Sequence, residues 1–270
     1  MATLDSLGLA ASSFDEPLAY PGRLPASSFL LIDDRLLPLA GTDERPTVDS
    51  GADPVCAARL AGADSLDGAL ASLAATPMGS RTPVVAVGSN AAPAQLRTKL
   101  LGHGAQPVVP AQRVRITGLE VGHSAHVSRG GYVPAAPFAS RGARAELFVL
   151  WLDGAQRNAV DATEPGYRRQ RLPEGCTVTL PCGRGLAGAE VYRSRHGLLS
   201  LDGSAPLPLR SQREVVGGLR ERLDAEGPPR WPSVEAFVRA CTGSATLRGW
   251  VSARLGELGL VVPDHLAGQG

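Results

Sequence analysis

The chain has 270 residues, of which 43% are apolar and 20% charged, and its formal net charge is +1. This length allows one large domain or two small ones, and the composition is that of a globular protein with a real apolar core. The near-neutral charge balance gives no electrostatic reason to expect a nucleic acid or a membrane as a partner.

Apolar runs and cysteines indicate the compartment. No run approaches the ~20 apolar residues that span a bilayer. Acidic residues precede Arg23, the first basic residue, which argues against a secretory signal. The four cysteines, at positions 56, 176, 182 and 241, form neither a disulfide framework nor a C-x-x-C motif. We therefore expect a cytoplasmic protein with reduced thiols.

Residues 1–80 are predicted to form an N-terminal extension that packs on the core. Its clearest element is a β-hairpin, with strands over 28–32 and 36–39 joined by the turn Asp33-Asp34. The polar, Pro- and Gly-rich stretch 41–54 is predicted to be a loop. Helical spacing of leucines then indicates a helix over 66–73.

Residues 81–196 are predicted to form the core. It opens with the β-branched strand 83–87, the turn Gly88-Ser89-Asn90 and a helix that begins at Pro93, a residue suited to the first helical position. The further elements are predicted strands over 113–119, 131–134, 146–152, 168–172, 177–180 and 188–193, and a helix over 154–162. This set predicts an α+β protein with a small mixed or antiparallel β-barrel core, open or partly closed, and peripheral helices.

Residues 197–270 are predicted to form a C-terminal extension of a hairpin and helices. The hairpin spans 197–209, around the turn Asp202-Gly203. Two or three helices are predicted, over 212–223, 233–241 and 247–258, and Ser233 is a suitable N-cap for the second.

Two segments of the core carry the chemistry. The first is Val87-Gly88-Ser89-Asn90 with the helix after it, and the second is Asp161-Ala162-Thr163-Glu164-Pro165-Gly166-Tyr167-Arg168-Arg169. Together they resemble the γ-glutamylcyclotransferase family, in which a strand ends in Tyr-Gly-Ser-Asn and a glutamate precedes a Tyr-Arg-Arg-like strand. The resemblance spans roughly residues 83–195. The chain departs from the family's pattern at Val87, where the family has Tyr, and at Pro165, where it has Gly.

The resemblance implies a reaction within one substrate molecule. The α-amine of a γ-glutamyl compound attacks its own γ-carbonyl, and 5-oxoproline and a free amine are released. Glu164 matches the catalytic position, where it moves a proton from the α-ammonium to the leaving nitrogen. The implied substrate-binding residues are Val87, Gly88, Ser89, Asn90 and Tyr132. No metal, nucleotide or other cofactor is implied, and the oligomeric state is unknown.

Elementary chemistry supports the anion-binding part of this hypothesis. A strand, a glycine-containing turn and a helix start present backbone N–H groups at one point, which suits a carboxylate or an oxyanion. Ser89 is a poor hydrolase nucleophile, because the Gly-x-Ser-x-Gly elbow is absent. His123 and His126 have no third ligand nearby in the sequence, so a zinc site is not predicted.

Other interpretations of the same residues remain open. Gly88-Ser89-Asn90 can be an ordinary turn between a strand and a helix. Glu164 can be a solvated loop carboxylate paired with Arg168 or Arg169. The alternative function is therefore a non-catalytic module of the same fold that binds a small ligand or a partner, and a third is a hydrolase that uses water.

Overall fold

The fold is built around one large, mostly antiparallel sheet. A computed structural model describes residues 2–13, 15–40, 47–48, 65–225 and 230–266. The strands are β1 (Ala2–Thr3), β2 (Phe29–Ile32), β3 (Arg35–Ala40), β4 (Thr47–Val48), β5 (Thr82–Ala86), β6 (Val108–His123), β7 (Ala135–Leu152), β8 (Tyr167–Arg171), β9 (Thr177–Thr179), β10 (Gly185–Leu186), β11 (Glu190–Ser194), β12 (Leu198–Leu199) and β13 (Val261–Val262). The helices are α1 (Leu66–Ser72), α2 (Pro93–Gly102), α3 (Gly154–Thr163), α4 (Gln212–Leu223), α5 (Val234–Gly243) and α6 (Ala245–Glu257).

The pairing of the strands defines an open sheet. The main path runs β1-β3-β2-β6-β7-β5-β11-β8, and β9 joins it through β6. The pair β5 and β11 is parallel, whereas the other pairs along the path are antiparallel. The α+β class is therefore confirmed. Among the described strands no pairing joins β1 to β8, so the predicted closure into a barrel is not confirmed.

The hairpin of β6 and β7 is the longest element of the sheet. The strand predicted over 113–119 is only the middle part of β6, and the strand predicted over 146–152 is only the C-terminal part of β7. Their register shifts between Thr117 and Leu119, where Gly118 has a φ of +86°. A Cβ at Gly118 would lie 2.2 Å from the carbonyl oxygen of Gly175, so the backbones approach closely at this bulge.

The strand predicted over 131–134 is wrong. These residues belong to the connection between β6 and β7, and Gly131 has a φ of +83°. A Cβ at Gly131 would lie 2.6 Å from Thr242 Oγ1, so the connection packs tightly against the end of α5. The positive φ interrupts extended backbone and turns the chain toward β7.

The N-terminal hairpin extends the main sheet. Strand β2 is buried at every residue and pairs with β6, from Phe29 opposite Ala111 to Ile32 opposite Val108. Phe29 also packs on Phe148 of β7, with ring centroids 5.5 Å apart. Most of the predicted loop 41–54 lies outside the described residues, but Thr47–Val48 forms strand β4 against β3.

The hairpin predicted over 197–209 is also wrong. Strand β12 pairs instead with β13, with Leu198 opposite Val262 and Leu199 opposite Val261. One backbone bond crosses the predicted hairpin, from Leu207 N–H to Leu199 O at 2.8 Å. Pro206 and Pro208 flank Leu207 and lack an N–H, so they cannot donate to a return strand.

The three C-terminal helices form a second apolar core. Each begins at a serine whose hydroxyl accepts a backbone N–H of its first turn, namely Ser211, Ser233 and Ser244. Their buried faces meet around Leu219, Phe237 and Val251. Across the residues described, no helix has the length and apolarity needed to cross a membrane.

Candidate functional site

A cavity of about 670 Å³ opens where the turn after β5, helix α2, the end of α3 and the connection between β6 and β7 meet. Its wall includes Tyr20, Val87, Ser89, Asn90, Gln95, Lys99, His126, Arg129, Tyr132, Glu164, Gly166, Tyr167 and His196. Four of the five predicted binding residues, and the predicted catalytic residue, are therefore on one cavity wall.

Helix α2 presents one face to the cavity. Gln95, Thr98, Lys99 and Gly102 line it, and their spacing of three and four residues places them on the same side of a helix. Pro93 begins the helix at its first position, as predicted. The opposite sides of α2 bury Leu96 and Leu100 in the main core, which fixes the orientation of the face that carries Lys99.

Gly88 lies behind the wall rather than on it. Its φ is +66°, which favours glycine, and it opens a 3₁₀ turn over Gly88–Ala91. A Cβ there would lie 2.2 Å from Tyr20 Oη and 3.0 Å from Ala135 Cβ. Gly88 therefore allows Tyr20 to reach the turn, and its role differs from the direct substrate contact that the resemblance implies.

Tyr20 is a cavity residue that the sequence analysis missed. Its ring stacks on Tyr132 with centroids 4.3 Å apart, and its Oη accepts the Ala135 N–H at 2.8 Å. Burial raises the pKa of Tyr132 to about 12 and raises the pKa of Tyr20 further. Both groups are thus protonated phenols at neutral pH. Although position 87 is a valine, the N-terminal segment brings a phenol to the same turn.

Glu164 is held by two neighbours. It follows the last residue of α3, and its Oε1 accepts hydrogen bonds from Asn90 Nδ2 at 3.0 Å and from Lys99 Nζ at 2.5 Å. Lys99 Nζ also donates to Asn90 Oδ1 at 2.6 Å. The side chains of Lys99 and Glu164 are 9% and 15% exposed, so this ion pair is largely shielded from bulk water.

The chemistry of Lys99 and Glu164 fixes the orientation of the Asn90 amide between them. An ammonium only donates and a carboxylate only accepts, so the Asn90 amide must place its oxygen toward Lys99 and its nitrogen toward Glu164. Within the described part of the chain, Glu164 Oε2 has no hydrogen-bond partner, and Lys99 uses two of its three donors. One acceptor atom and one donor therefore remain for a ligand.

The alternative pairing of Glu164 with Arg168 or Arg169 does not occur. Arg169 instead binds both carboxylate oxygens of Asp161 at 2.9 Å and also contacts Glu190. The hydrogen bonds from Arg169 hold the pKa of Asp161 below its usual value. Arg168 is exposed. The ordinary-loop interpretation of Glu164 thus lacks the ion pair on which it depended.

The two histidines considered as metal ligands have separate surroundings. His123 is fully buried, and its Nε2 accepts the Arg210 N–H at 3.0 Å. Burial lowers the pKa of His123 to about 4, so its ring is neutral. His126 lies on the cavity wall. Over the described ranges, no group of three or more His, Cys, Asp or Glu side chains is arranged to hold a metal ion.

Comparisons with known proteins give remote likenesses. No protein-family model matches the sequence, and no curated protein matches it. Among solved structures, the chain is similar to one titled "Gamma-glutamyl cyclotransferase", with 15% identity, a TM-score of 0.32 and coverage of 70% of this chain and 92% of that one. It is also similar to the uncharacterized protein loc79017 from Homo sapiens, with 18% identity, a TM-score of 0.31 and coverage of 70% and 93%. Both likenesses concern the fold alone.

Proposed function

We propose that this chain is a γ-glutamylcyclotransferase-type enzyme that releases 5-oxoproline and an amine from a small γ-glutamyl compound. The observation that carries the proposal is Glu164 on the cavity wall, fixed through Oε1 by Asn90 and Lys99 with Oε2 left unpartnered among the described residues. A fixed carboxylate with one unpartnered oxygen is suited to shuttling a proton.

In the proposed reaction the protein forms no covalent bond to the substrate and only transfers a proton. The substrate's α-nitrogen forms a bond to its own γ-carbonyl carbon, and the bond from that carbon to the leaving nitrogen breaks. Glu164 Oε2 takes one proton from the α-ammonium and gives it to the leaving nitrogen, so the carboxylate is regenerated. Folding the substrate so that its two reacting atoms meet supplies much of the rate enhancement.

The remaining wall residues would hold the γ-glutamyl half. Val87, Ser89 and Asn90 line the cavity at the turn between β5 and α2, where backbone N–H groups suit the substrate's α-carboxylate. The third donor of Lys99 adds a positive charge on the same side. The stacked rings of Tyr20 and Tyr132 form an apolar wall that limits water near the reacting atoms.

One observation favours the second candidate, a binding module without catalysis. The Lys99 ammonium lies 2.5 Å from the Glu164 carboxylate, so the two side chains already form a complete ion pair with no ligand between them. In a binding module the same ion pair would only position Asn90 and the carboxylate around a ligand. The two candidates therefore differ in turnover and not in the residues that contact the ligand.

The variant Glu164→Gln separates them. Glutamine keeps the size and a carbonyl acceptor but cannot carry the proton, so the enzyme is expected to lose ~100-fold or more in 5-oxoproline release from γ-glutamylalanine. The matched control is Glu190→Gln. Glu190 is also ion-paired and half-buried, with 19% of its side chain exposed, but it is not on the cavity wall. Its variant is expected to keep activity within about threefold, the usual range of an uninvolved position.

Two results would contradict the proposal. One is a Glu164→Gln variant that is folded by circular dichroism and as active as Glu190→Gln. The other is a parent protein that binds γ-glutamylalanine in a calorimeter and releases no 5-oxoproline, which is the result the binding module predicts.

A further inference from the structure

One hydroxyl hydrogen on the cavity wall has no acceptor among the described residues. Tyr20 is 5% exposed and lines the cavity, and its Oη accepts the Ala135 N–H at 2.8 Å. A phenol that accepts a hydrogen bond still carries its own hydrogen to donate. A buried hydroxyl hydrogen needs an acceptor. A ligand that enters the cavity can therefore accept a hydrogen bond from Tyr20.

Two other tyrosines on the wall already donate their hydroxyl hydrogens to the protein. Tyr167 Oη donates to Ala135 O at 2.8 Å, and Tyr192 Oη donates to Asp161 Oδ1 at 2.6 Å. Tyr20 and Tyr167 thus bond the N–H and the carbonyl of the same residue, Ala135. They differ in that only the Tyr20 hydrogen is left for a ligand, so Tyr167 is a matched comparison.

Packing on both sides holds the Tyr20 side chain in place. Leu18 packs against the apolar core of the C-terminal helices. On the other side, a Cβ on Gly22 would lie 3.6 Å from Ala92 Cβ, next to the start of α2. The Tyr20 ring itself stacks on Tyr132. A donor that is held in this way needs little rearrangement during a reaction, which is the condition for electrostatic catalysis.

The Tyr20 phenol keeps its hydrogen at neutral pH and faces the same turn as Glu164. Burial is the main cause that raises the pKa of Tyr20, and Tyr132 and Glu164 raise it further. Tyr20 Oη lies against Gly88, two residues before Asn90, and Asn90 donates to the Glu164 carboxylate. A neutral donor and a proton shuttle therefore flank one turn of the cavity wall.

The proposed reaction develops a negative charge on one oxygen of the substrate. When the α-nitrogen bonds to the γ-carbonyl carbon, an electron pair of the carbonyl moves onto its oxygen, which becomes an oxyanion. When the bond to the leaving nitrogen breaks, that pair returns and the carbonyl of 5-oxoproline forms. A donor beside this oxygen binds the charged intermediate more strongly than the substrate, so it raises kcat rather than lowering KM.

We propose that Tyr20 is a further catalytic residue, whose hydroxyl donates a hydrogen bond to this oxyanion. The inference rests on the proposed function, because it concerns the same reaction at the same cavity. The hydrogen stays on Tyr20 throughout, and Glu164 alone carries the transferred proton. The N-terminal segment thereby supplies a catalytic group to the turn after β5.

The variant Tyr20→Phe keeps the stacked ring and removes the donor. We expect kcat for γ-glutamylalanine to fall ~100-fold or more, the usual cost of losing one oxyanion donor, with KM changed less than about threefold. Tyr167→Phe is the matched control, because it also removes one hydrogen bond to Ala135 but no donor that a ligand can use. Its kcat is expected to fall less than about fivefold.

A binding measurement tests the donor without relying on turnover. A phosphinate analogue of γ-glutamylalanine, with phosphorus and two oxygens in place of the γ-carbonyl group, carries the negative charge of the intermediate. Calorimetry should show that Tyr20→Phe binds this analogue about tenfold or more weakly than the parent protein does, a usual loss for a hydrogen bond to a charged group. Tyr167→Phe should bind it nearly as tightly as the parent.

A fluorinated side chain guards against misfolding. Tyr20→Phe leaves the Ala135 N–H without its acceptor and can destabilise the protein. Incorporation of 3-fluorotyrosine in place of Tyr20 keeps the hydroxyl and both of its hydrogen-bonding functions. Its ¹⁹F resonance should shift when the phosphinate binds, and by more than the resonance of 3-fluorotyrosine in place of Tyr167. Equal shifts at the two positions would overturn the assignment.

The outcomes separate this inference from the proposed function. If Tyr20→Phe raises KM and leaves kcat unchanged, Tyr20 binds a group of the substrate that is already charged, and the inference is wrong while the cyclotransferase stands. Equal losses of kcat in Tyr20→Phe and Tyr167→Phe would mean the same. If γ-glutamylalanine is not cyclised but Tyr20→Phe alone weakens binding of the phosphinate, the donor stands and the cyclotransferase fails. If neither compound binds, both proposals fail.

Discussion

Arg81 and Lys99 are both buried cations, 6% and 9% exposed, and each bonds the side-chain amide of a nearby residue. Arg81 donates to Gln156 Oε1 at 3.0 Å, and Lys99 donates to Asn90 Oδ1 at 2.6 Å. Burial of a charge is costly in both places, and at Arg81 desolvation lowers the pKa of the guanidinium. By burial alone, the two positions cannot be told apart.

Their other partners differ. Arg81 donates to three backbone carbonyls, those of Thr76, Val108 and Trp151, at 2.8 to 3.2 Å. It thereby ties together a loop, β6 and β7, and it is not on the cavity wall. Among the described residues, Lys99 instead bonds the side chains of Asn90 and Glu164 alone, and all three line the cavity. A buried charge therefore does not identify a candidate site by itself. What distinguishes the site from a structural network is a set of unpartnered hydrogen-bond donors and acceptors on a cavity wall.

Replacing Arg81 should have the largest effect on stability. Arg81→Met removes the donor to the carbonyls of Thr76 and Trp151, whereas Val108 O and Gln156 Oε1 each keep a second donor. We expect the free energy of unfolding to fall by about 2–4 kcal/mol, the usual cost of leaving buried carbonyls unsatisfied. Urea denaturation measures this change. Arg213→Met is the control, because Arg213 is 64% exposed in its pair with Glu235 and should cost less than ~1 kcal/mol. Equal losses in the two variants would contradict the structural role of Arg81.

Replacing Lys99 should affect turnover more than folding. Lys99→Met removes the group that fixes Glu164 and Asn90, and we expect kcat/KM for γ-glutamylalanine to fall ~10- to 100-fold, or about 1.4–2.7 kcal/mol. Its loss of stability should be well below that of Arg81→Met, because water in the cavity can solvate Glu164. Arg97→Met, on the same helix but paired with Asp33 at the surface, is the control for loss of a cation and should keep its activity. A Lys99→Met variant that is as active as Arg97→Met would contradict the claim that Lys99 belongs to the site while Arg81 is structural.

Local signals in the sequence predicted most of the elements. The N-terminal hairpin, the strand before Gly88 and the three C-terminal helices follow from β-branched runs, turn residues and N-caps, and they form close to the predicted bounds. The predictions that were wrong concern contacts with residues far away in the sequence. Leu198 pairs with Val262, which lies more than sixty residues later, and no local pattern specifies such a pair. The division into 1–80, 81–196 and 197–270 stays a prediction.

The candidate site was only partly predictable for the same reason. Asn90 and Glu164 were named through the resemblance, and the chain brings them into one hydrogen bond across 74 positions. Lys99 carried one usable signal, because it is the single lysine of an arginine-rich chain and follows Gln95 by four residues on α2. Tyr20 carried none. Its position beside the turn depends on Gly88 and on tertiary packing of the N-terminal segment.

The identity of the product formed in ¹⁸O-labelled water tests the central claim most directly. Intramolecular attack by the α-amine brings in no water oxygen, so the parent protein should convert γ-glutamylalanine into alanine and unlabelled 5-oxoproline. Mass spectrometry distinguishes that product from glutamate. Glutamate carrying one ¹⁸O atom would mean that water is the nucleophile, and this result would contradict the assignment of Glu164 as the proton shuttle of a cyclisation.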